Sequence, residues 1–240
     1  ARIEWVLDAA KAKGYRAGEN PARWKGHLDQ LMPKPNKLTR GHHAALPFAD
    51  VPAFIGELRS RPATSALALE FTILTAARSG EVRGATWREI NMDDATWTVP
   101  AHRMKAGREH RVPLSKRSVE ILNGLAMLVG DEPDAVVFAG PKGSTSSLSD
   151  AAFNALLKRM DRSDGVTPHG FRSSFRDWAG ETTTFPRDVA EMCLAHTVGD
   201  MTERAYRRGD GLARRRELMD AWADFCTAPQ KQKIYKNQTS

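Results

Sequence analysis

Six side chains in this 240-residue chain are of types that could serve a bound phosphate without a metal. Arg78 ends an apolar run, and Glu81 follows three residues later, a spacing that lets a carboxylate hold a guanidinium in place for an anion. Lys105 lies between two alternating stretches. His169 and Arg172 are three apart and share a helical face. Thr167-Pro168 puts His169 in the first turn of a helix, where free backbone N–H groups and the helix dipole favour a bound anion. His196 closes a short apolar helix, and Tyr206 stands among Arg204, Arg207 and Arg208. Each also has an ordinary reading. Arg78 and His196 are candidates for capping helix carbonyls, His169 and Arg172 for a solvated polar stripe, Lys105 for a solvated turn residue, and Tyr206 for a surface or phosphate-contacting residue.

Other chemistries lack their residues. No GxxxxGK[ST] loop is present, GPKGSTSS having the wrong spacing. HExxH is absent, and Cys193 with His196 makes a single CxxH without a second half. No acidic cluster suggests a two-metal nuclease. No metal or other cofactor is therefore expected. Two cysteines cannot form a disulfide framework, which suggests a reducing compartment and a cytoplasmic protein. The longest apolar stretch, residues 66–77, is interrupted by Glu70 and is too short to span a bilayer, and the start does not read as a signal peptide. Lys and Arg number 36 against 29 Asp and Glu, a net +7. The excess is clustered: residues 103–117 and 204–216 each hold six basic residues and one acid. Such patches point to a polyanionic partner.

Periodicity supplies the elements that must position these groups. Residues 2–13 read as a helix stopped by Gly14, and Asn20 with Pro21 as the start of another. The polar, proline-rich residues 33–45 read as a linker. Helices are expected over 48–61, 64–77, 118–129, 150–160, 168–180, 186–195, 202–208 and 212–225. Residues 95–101 and 109–115 read as a hairpin with Gly107 in its turn. Residues 136–140 read as a strand, 141–149 as a flexible loop, and 229–240 as a flexible basic tail. The expected class is mainly α with a small antiparallel β-sheet (α+β), its principal domain over 46–228.

Taken in order, Arg-x-x-Glu, a hairpin Lys, His-x-x-Arg, His and Tyr resemble the tyrosine recombinases, the phage integrase family. ARSGEVRGATW resembles the first arginine box, TPHGFRSSFRDWA the His-x-x-Arg box and LAHTVGDMTERAYRR the His…Tyr box. GENPARWKGHLDQLMP and AYRRGDGLARRRELMDAWADF look like the subgroup encoded by prophages and genomic islands. The resemblance spans about residues 15–226. It implies a recombinase catalytic domain with Arg78, Lys105, His169, Arg172, His196 and Tyr206 as the catalytic set and Glu81 in support. Arg103, Arg108, Arg111, Arg204 and Arg207 are further candidate DNA contacts. Residues 1–32 would be the C-terminal remnant of the family's core-binding domain. The HGFR box carries Phe171 where an aliphatic residue is common.

What the resemblance implies is a site-specific recombinase that integrates or excises a prophage or genomic island. Tyr206 would attack a scissile phosphate, form a 3′-phosphotyrosine and release a 5′-hydroxyl. His169 would take the phenol proton and Lys105 would protonate the leaving oxygen. The partner would be double-stranded attachment-site DNA, on which the full-length protein forms a homo-tetramer, the fragment alone being monomeric. A type IB topoisomerase, which uses similar residues to relax supercoils, is the nearest alternative. A non-catalytic DNA-binding module of the same fold is a further one, against which the intact set of six argues.

Overall fold

In the computed structural model the described residues are 2–32, 45–140, 143–196 and 209–229. They belong to two units, residues 1–42 and 43–240. In the first, α1 (Arg2–Ala12) precedes a turn organised by Asn20. Asn20 donates to the Glu4 carbonyl (2.9 Å) and to Asp8 Oδ1 (2.7 Å), and its own Oδ1 accepts from the Ala22 N–H (2.9 Å). The regular helix expected after Pro21 is replaced by a kinked turn at Trp24–Leu28 and a single turn, α2 (Asp29–Leu31). Lys25 is extended (ψ 123°) and Gly26 left-handed (φ 75°), which breaks the ladder of i→i−4 bonds. Residues 33–44 of the expected linker, the expected helix over 202–208 and residues 230–240 of the tail lie outside the described residues.

The second unit is built around α4 (Thr64–Thr75), which follows α3 (Val51–Arg59). Ala66, Ala68, Leu69, Phe71, Ile73 and Leu74 are all buried, so α4 is apolar on every side, as a helix inside a core must be. Its one charge, Glu70, is 1% exposed. Arg59 Nε donates to Glu70 Oε1 at 2.7 Å and Arg117 Nε at 2.8 Å. A buried carboxylate is tolerated only when paired in this way, and the pairing draws neighbouring elements onto α4.

After α4 come α5 (Ser79–Arg83) and an antiparallel sheet of β1 (Ile90–Asn91), β2 (Thr96–Val99) and β3 (His110–Pro113). Trp97 faces Val112 and Val99 faces His110 across β2 and β3. Gly107 takes φ 63° in the intervening turn, as the hairpin reading anticipates. α6 (Lys116–Val129) starts two residues earlier than the apolar pattern suggests, because Ser115 caps it by accepting from the Ser118 N–H.

Residues 143–147, expected as loop, form a strand instead. β5 (Gly143–Ser147) pairs antiparallel with β4 (Ala139–Gly140). A Cβ at Gly140 would lie 2.9 Å from the Ser147 carbonyl, so the pair closes only over glycine. The serine-rich composition lacks the apolar alternation that would reveal such a strand.

The helices α7 (Ala152–Arg159), α8 (Gly170–Thr182), α9 (Arg187–Cys193) and α10 (Leu212–Thr227) complete the unit. Phe71 packs between Trp97 and Phe138, with ring centroids 5.6 and 5.3 Å away. Trp222 of α10 packs on Trp178 (5.0 Å) and Phe175 (5.5 Å), and its Nε1 donates to the Ile73 carbonyl at 2.8 Å. The architecture is the expected one, helical with a small antiparallel sheet. Among the described residues no helix is long and apolar enough to cross a membrane.

Candidate active site

The end of α4 creates the site. Ala76 adopts a left-handed conformation (φ 49°), which stops the helix and turns its carbonyl toward α8. Arg172 Nη1 donates to that carbonyl, and Nη2 donates to the Leu194 carbonyl at 2.6 Å. Capping of α4 therefore falls to Arg172, and Arg78 is left for another partner. Glu81 Oε1 accepts from Arg78 Nη1 (2.7 Å) and Oε2 from the Arg78 backbone N–H (3.0 Å). This pair of bonds, both accepted by Glu81 at the start of α5, is the Arg78–Glu81 pairing anticipated from the i, i+3 spacing.

Arg172 is 5% exposed and is not part of a solvated stripe. Burial, then the nearby charge of Arg78, lowers its pKa to about 10, against the opposing pull of Glu81 and Glu191. It remains a cation at neutral pH, but one whose surroundings favour an added anion. His196 stands at its other side, Nε2 lying 3.4 Å from Arg172 Nη2. The opposite ring nitrogen is committed, Nδ1 lying 2.6 Å from Glu191 Oε2. Burial acts to raise the Glu191 pKa, yet the His196 hydrogen bond and the charge of Arg176 outweigh it and hold the carboxyl low. Arg176 Nε lies 2.8 Å from Glu191 Oε1 as a charge contact.

Arg78, Glu81, Arg172 and His196 thus come together from α4–α5, α8 and the end of α9. His169 occupies the N-cap position of α8, exposed to solvent. Lys105 is exposed in the β2–β3 turn, and its neighbours Met104 and Ala106 line a cleft of about 500 Å³ together with His196. Tyr206, Arg204 and Arg207 lie outside the described residues, but His196 and Gly209, on either side of that stretch, both line the same cleft. Arg108 is exposed, and Arg111 is half-exposed with Nη1 3.6 Å from Asp210 Oδ2. Both line the cleft. Arg103, read as a candidate DNA contact, instead turns inward: Nη1 donates to Glu89 and Nη2 to the Glu81 carbonyl. Among the described residues no cluster of three or more metal-ligating side chains occurs.

Two residues of the cleft escape sequence reasoning. His110 hydrogen-bonds the Cys193 backbone, and burial, followed by the charge of Arg215, drives its pKa down to about 4. Arg215 is buried, with Nε donating to the Asp210 carbonyl and Nη2 to Asp210 Oδ2, each at 2.8 Å. It pins the chain just beyond residue 208 to α10. His110 belongs to no quoted motif, and Arg215 lies in the family-like stretch 205–225 and the basic cluster 204–216, neither of which reveals that it is buried. Only the alternation of residues 109–115, which places His110 opposite the buried Val99, hints at the first.

The family model described as "Phage integrase family" matches residues 45–211. The integrase of Enterobacteria phage P4 is 33% identical over 202 residues, covering 77% of this chain and 45% of that protein. Prophage integrase IntZ of Escherichia coli (strain K12) is 36% identical over 185 residues, with the same coverage of 77% and 45%. The chain therefore spans about half the length of these relatives. Among solved structures, a lambda integrase (75–356) dimer bound to a COC' core site aligns with TM-score 0.56 at 20% identity, covering 82% of this chain and 69% of that one. A lambda integrase tetramer bound to a Holliday junction aligns with TM-score 0.55 at 18% identity, covering 84% and 56%. At such identities the structures share the fold.

Proposed function

This chain belongs to the phage integrase family, and we propose that it cuts and rejoins DNA at specific sites through a 3′-phosphotyrosine on Tyr206, integrating or excising a prophage or genomic island. The observation that carries this reading is the convergence of Arg78 and Arg172 beside His196, with the charge of Arg78 felt at the buried Arg172. Two planar guanidiniums suit the non-bridging oxygens of a phosphodiester. Negative charge grows on those oxygens in the transition state, and fixed cations in a site shielded from water stabilise it most there.

The roles follow from residue type. The Tyr206 phenol gives its proton to His169 and attacks phosphorus. The bond from phosphorus to the 5′-oxygen breaks, and that oxygen takes a proton from the Lys105 ammonium. The new ester conserves the bond energy, so attack by a 5′-hydroxyl reverses the step without ATP. His196, its Nδ1 held by Glu191, presents Nε2 to the phosphate. Arg108, Arg111, Arg204 and Arg207 serve the DNA backbone. Integrase relatives favour strand exchange, within a tetramer such as the lambda integrase fold forms on a Holliday junction, over the swivelling of a type IB topoisomerase. Residues 1–32 are assigned to the end of a core-binding domain and 46–228 to the catalytic domain. The reaction takes place on attachment sites in a bacterial cytoplasm.

The test is a nicked suicide duplex carrying the junction sequence of the element that encodes the protein, incubated in EDTA. A covalent adduct should form, map to a peptide containing Tyr206 and leave a 5′-hydroxyl. Tyr206→Phe should lose the adduct while retaining DNA binding. An adduct with the Phe variant, or cleavage only after magnesium is added, refutes the assignment.

A further inference from the structure

Arg103 is 17% exposed and its partner Glu89 8% exposed, so this ion pair is largely withdrawn from water. Three features fix the guanidinium. Nη1 donates to both carboxylate oxygens of Glu89, and Nη2 donates to the Glu81 carbonyl. Glu89 is itself held, because Oε2 accepts from Nε1 of the fully buried Trp97 at 2.9 Å. Arg103 reaches Glu81 close past Gly84, where a Cβ would lie 3.0 Å from Arg103 Nη2 and push the end of that side chain aside.

The two ends of this strut are informative. Glu81 is the residue whose carboxylate clamps Arg78 through both its side chain and its backbone. Arg103 lies two residues before Lys105, and the intervening Met104 is buried. The Arg103 and Met104 backbone N–H groups close a tight turn onto the Pro100 and Ala101 carbonyls. The root of the turn is thus anchored twice, while its tip, including Lys105, is exposed.

We propose that Arg103 is a positioning residue that holds the Lys105-bearing turn in register with the Arg78–Glu81 corner. It touches neither DNA nor the reacting atoms. The inference rests on the recombinase reading above, in which Lys105 protonates the departing 5′-oxygen. An error of about 1 Å in placing a reacting group costs on the order of 100-fold in rate.

The experiment compares covalent adduct formation on two nicked suicide duplexes, one with an ordinary scissile phosphodiester and one with sulfur in place of the bridging 5′-oxygen. In the second, the bond from phosphorus to sulfur breaks and sulfur leaves as a thiolate, which needs no proton because thiols ionise near neutral pH. Arg103→Met should slow cleavage of the ordinary duplex by about 100-fold yet cleave the sulfur duplex within about threefold of wild type, the pattern expected of Lys105→Ala. Gly84→Ala is the second variant. It keeps every charge and displaces the end of the Arg103 side chain, and it should show the same selective loss, on the order of 10-fold. Equal slowing on both duplexes by either folded variant overturns the inference. If wild type forms no adduct on either duplex, the recombinase reading itself falls. If wild type and Lys105→Ala behave as described and the Arg103 and Gly84 variants do not, only the positioning role falls.

Discussion

Replacing His110 by glutamine should remove a pH dependence that the folded state builds into this residue. The imidazole is half-buried between β3 and the end of α9, bonded to the Cys193 backbone, with Arg215 and Arg172 nearby and Glu81 opposing them. Burial and Arg215 bring its pKa from 6.5 to about 4. The sign follows from linkage. As pH falls through 6.5 the unfolded chain takes up a proton that the folded protein refuses until about pH 4, so folding is favoured above 6.5 and progressively opposed below it. At 1.36 kcal/mol per pKa unit, the full span is worth about 3 kcal/mol, a large share of the roughly 5–15 kcal/mol that stabilises a domain. Glutamine keeps an N–H for the backbone contact and cannot titrate. At pH 7.5 it should cost about 1 kcal/mol through poorer packing. Urea unfolding followed by circular dichroism at pH 7.5, 5.5 and 4.5 measures both proteins, and the wild-type minus variant difference cancels the carboxylates that titrate in the same window. Wild type should lose about 2–3 kcal/mol relative to His110→Gln by pH 4.5. Parallel pH dependences would refute a His110 imidazole held neutral by the fold.

Arg172→Lys should lower the rate of adduct formation by about 100-fold or more although the charge is kept. Lysine cannot bridge the Ala76 and Leu194 carbonyls and face a phosphate at once. Urea unfolding of the same variant should show a loss of about 1–3 kcal/mol from the uncapped carbonyls, and unchanged cleavage would return Arg172 to a purely structural role. DNA affinity, titrated by fluorescence anisotropy from low to physiological salt, should fall steeply, because binding releases counterions from the phosphates and that release is less favourable at higher salt. A salt-independent affinity would contradict electrostatic binding by the basic segments.

How far the fold is legible from the chain varies by element. The helix α4 is plain because a long, largely apolar run with a single charge reads as a buried helix, although its end at Thr75, two residues short of the expected bound, is set by the left-handed Ala76. The hairpin is plain because Gly107 and two alternating stretches leave little choice. β5 is hidden because serine and glycine carry no burial pattern, and its partner Gly140 matters only through the close approach of the Ser147 carbonyl. The kinked turn at Trp24–Leu28 is hidden because Pro21 and the flanking apolar residues mimic a helix start, while Gly26 takes a left-handed conformation.

The same division runs through the site. The sequence alone names the candidates: Arg78 with Glu81 three residues on, His169 with Arg172, His196, Lys105 and Tyr206, in an order that resembles the family's. Local spacing suffices for the Arg78–Glu81 clamp because i, i+3 partners meet on any helical turn. Tertiary structure decides what each side chain faces. It buries Arg172 under the left-handed end of α4, where it caps one carbonyl and borders His196. It turns Arg103 away from solvent onto Glu89 and Glu81, against the expectation of a DNA contact. It brings in His110, which no motif marks, and Arg215, whose burial the basic stretch around it does not betray. The physical reason is that a guanidinium or imidazole acquires its role from burial and from partners distant in sequence, and a linear pattern encodes neither.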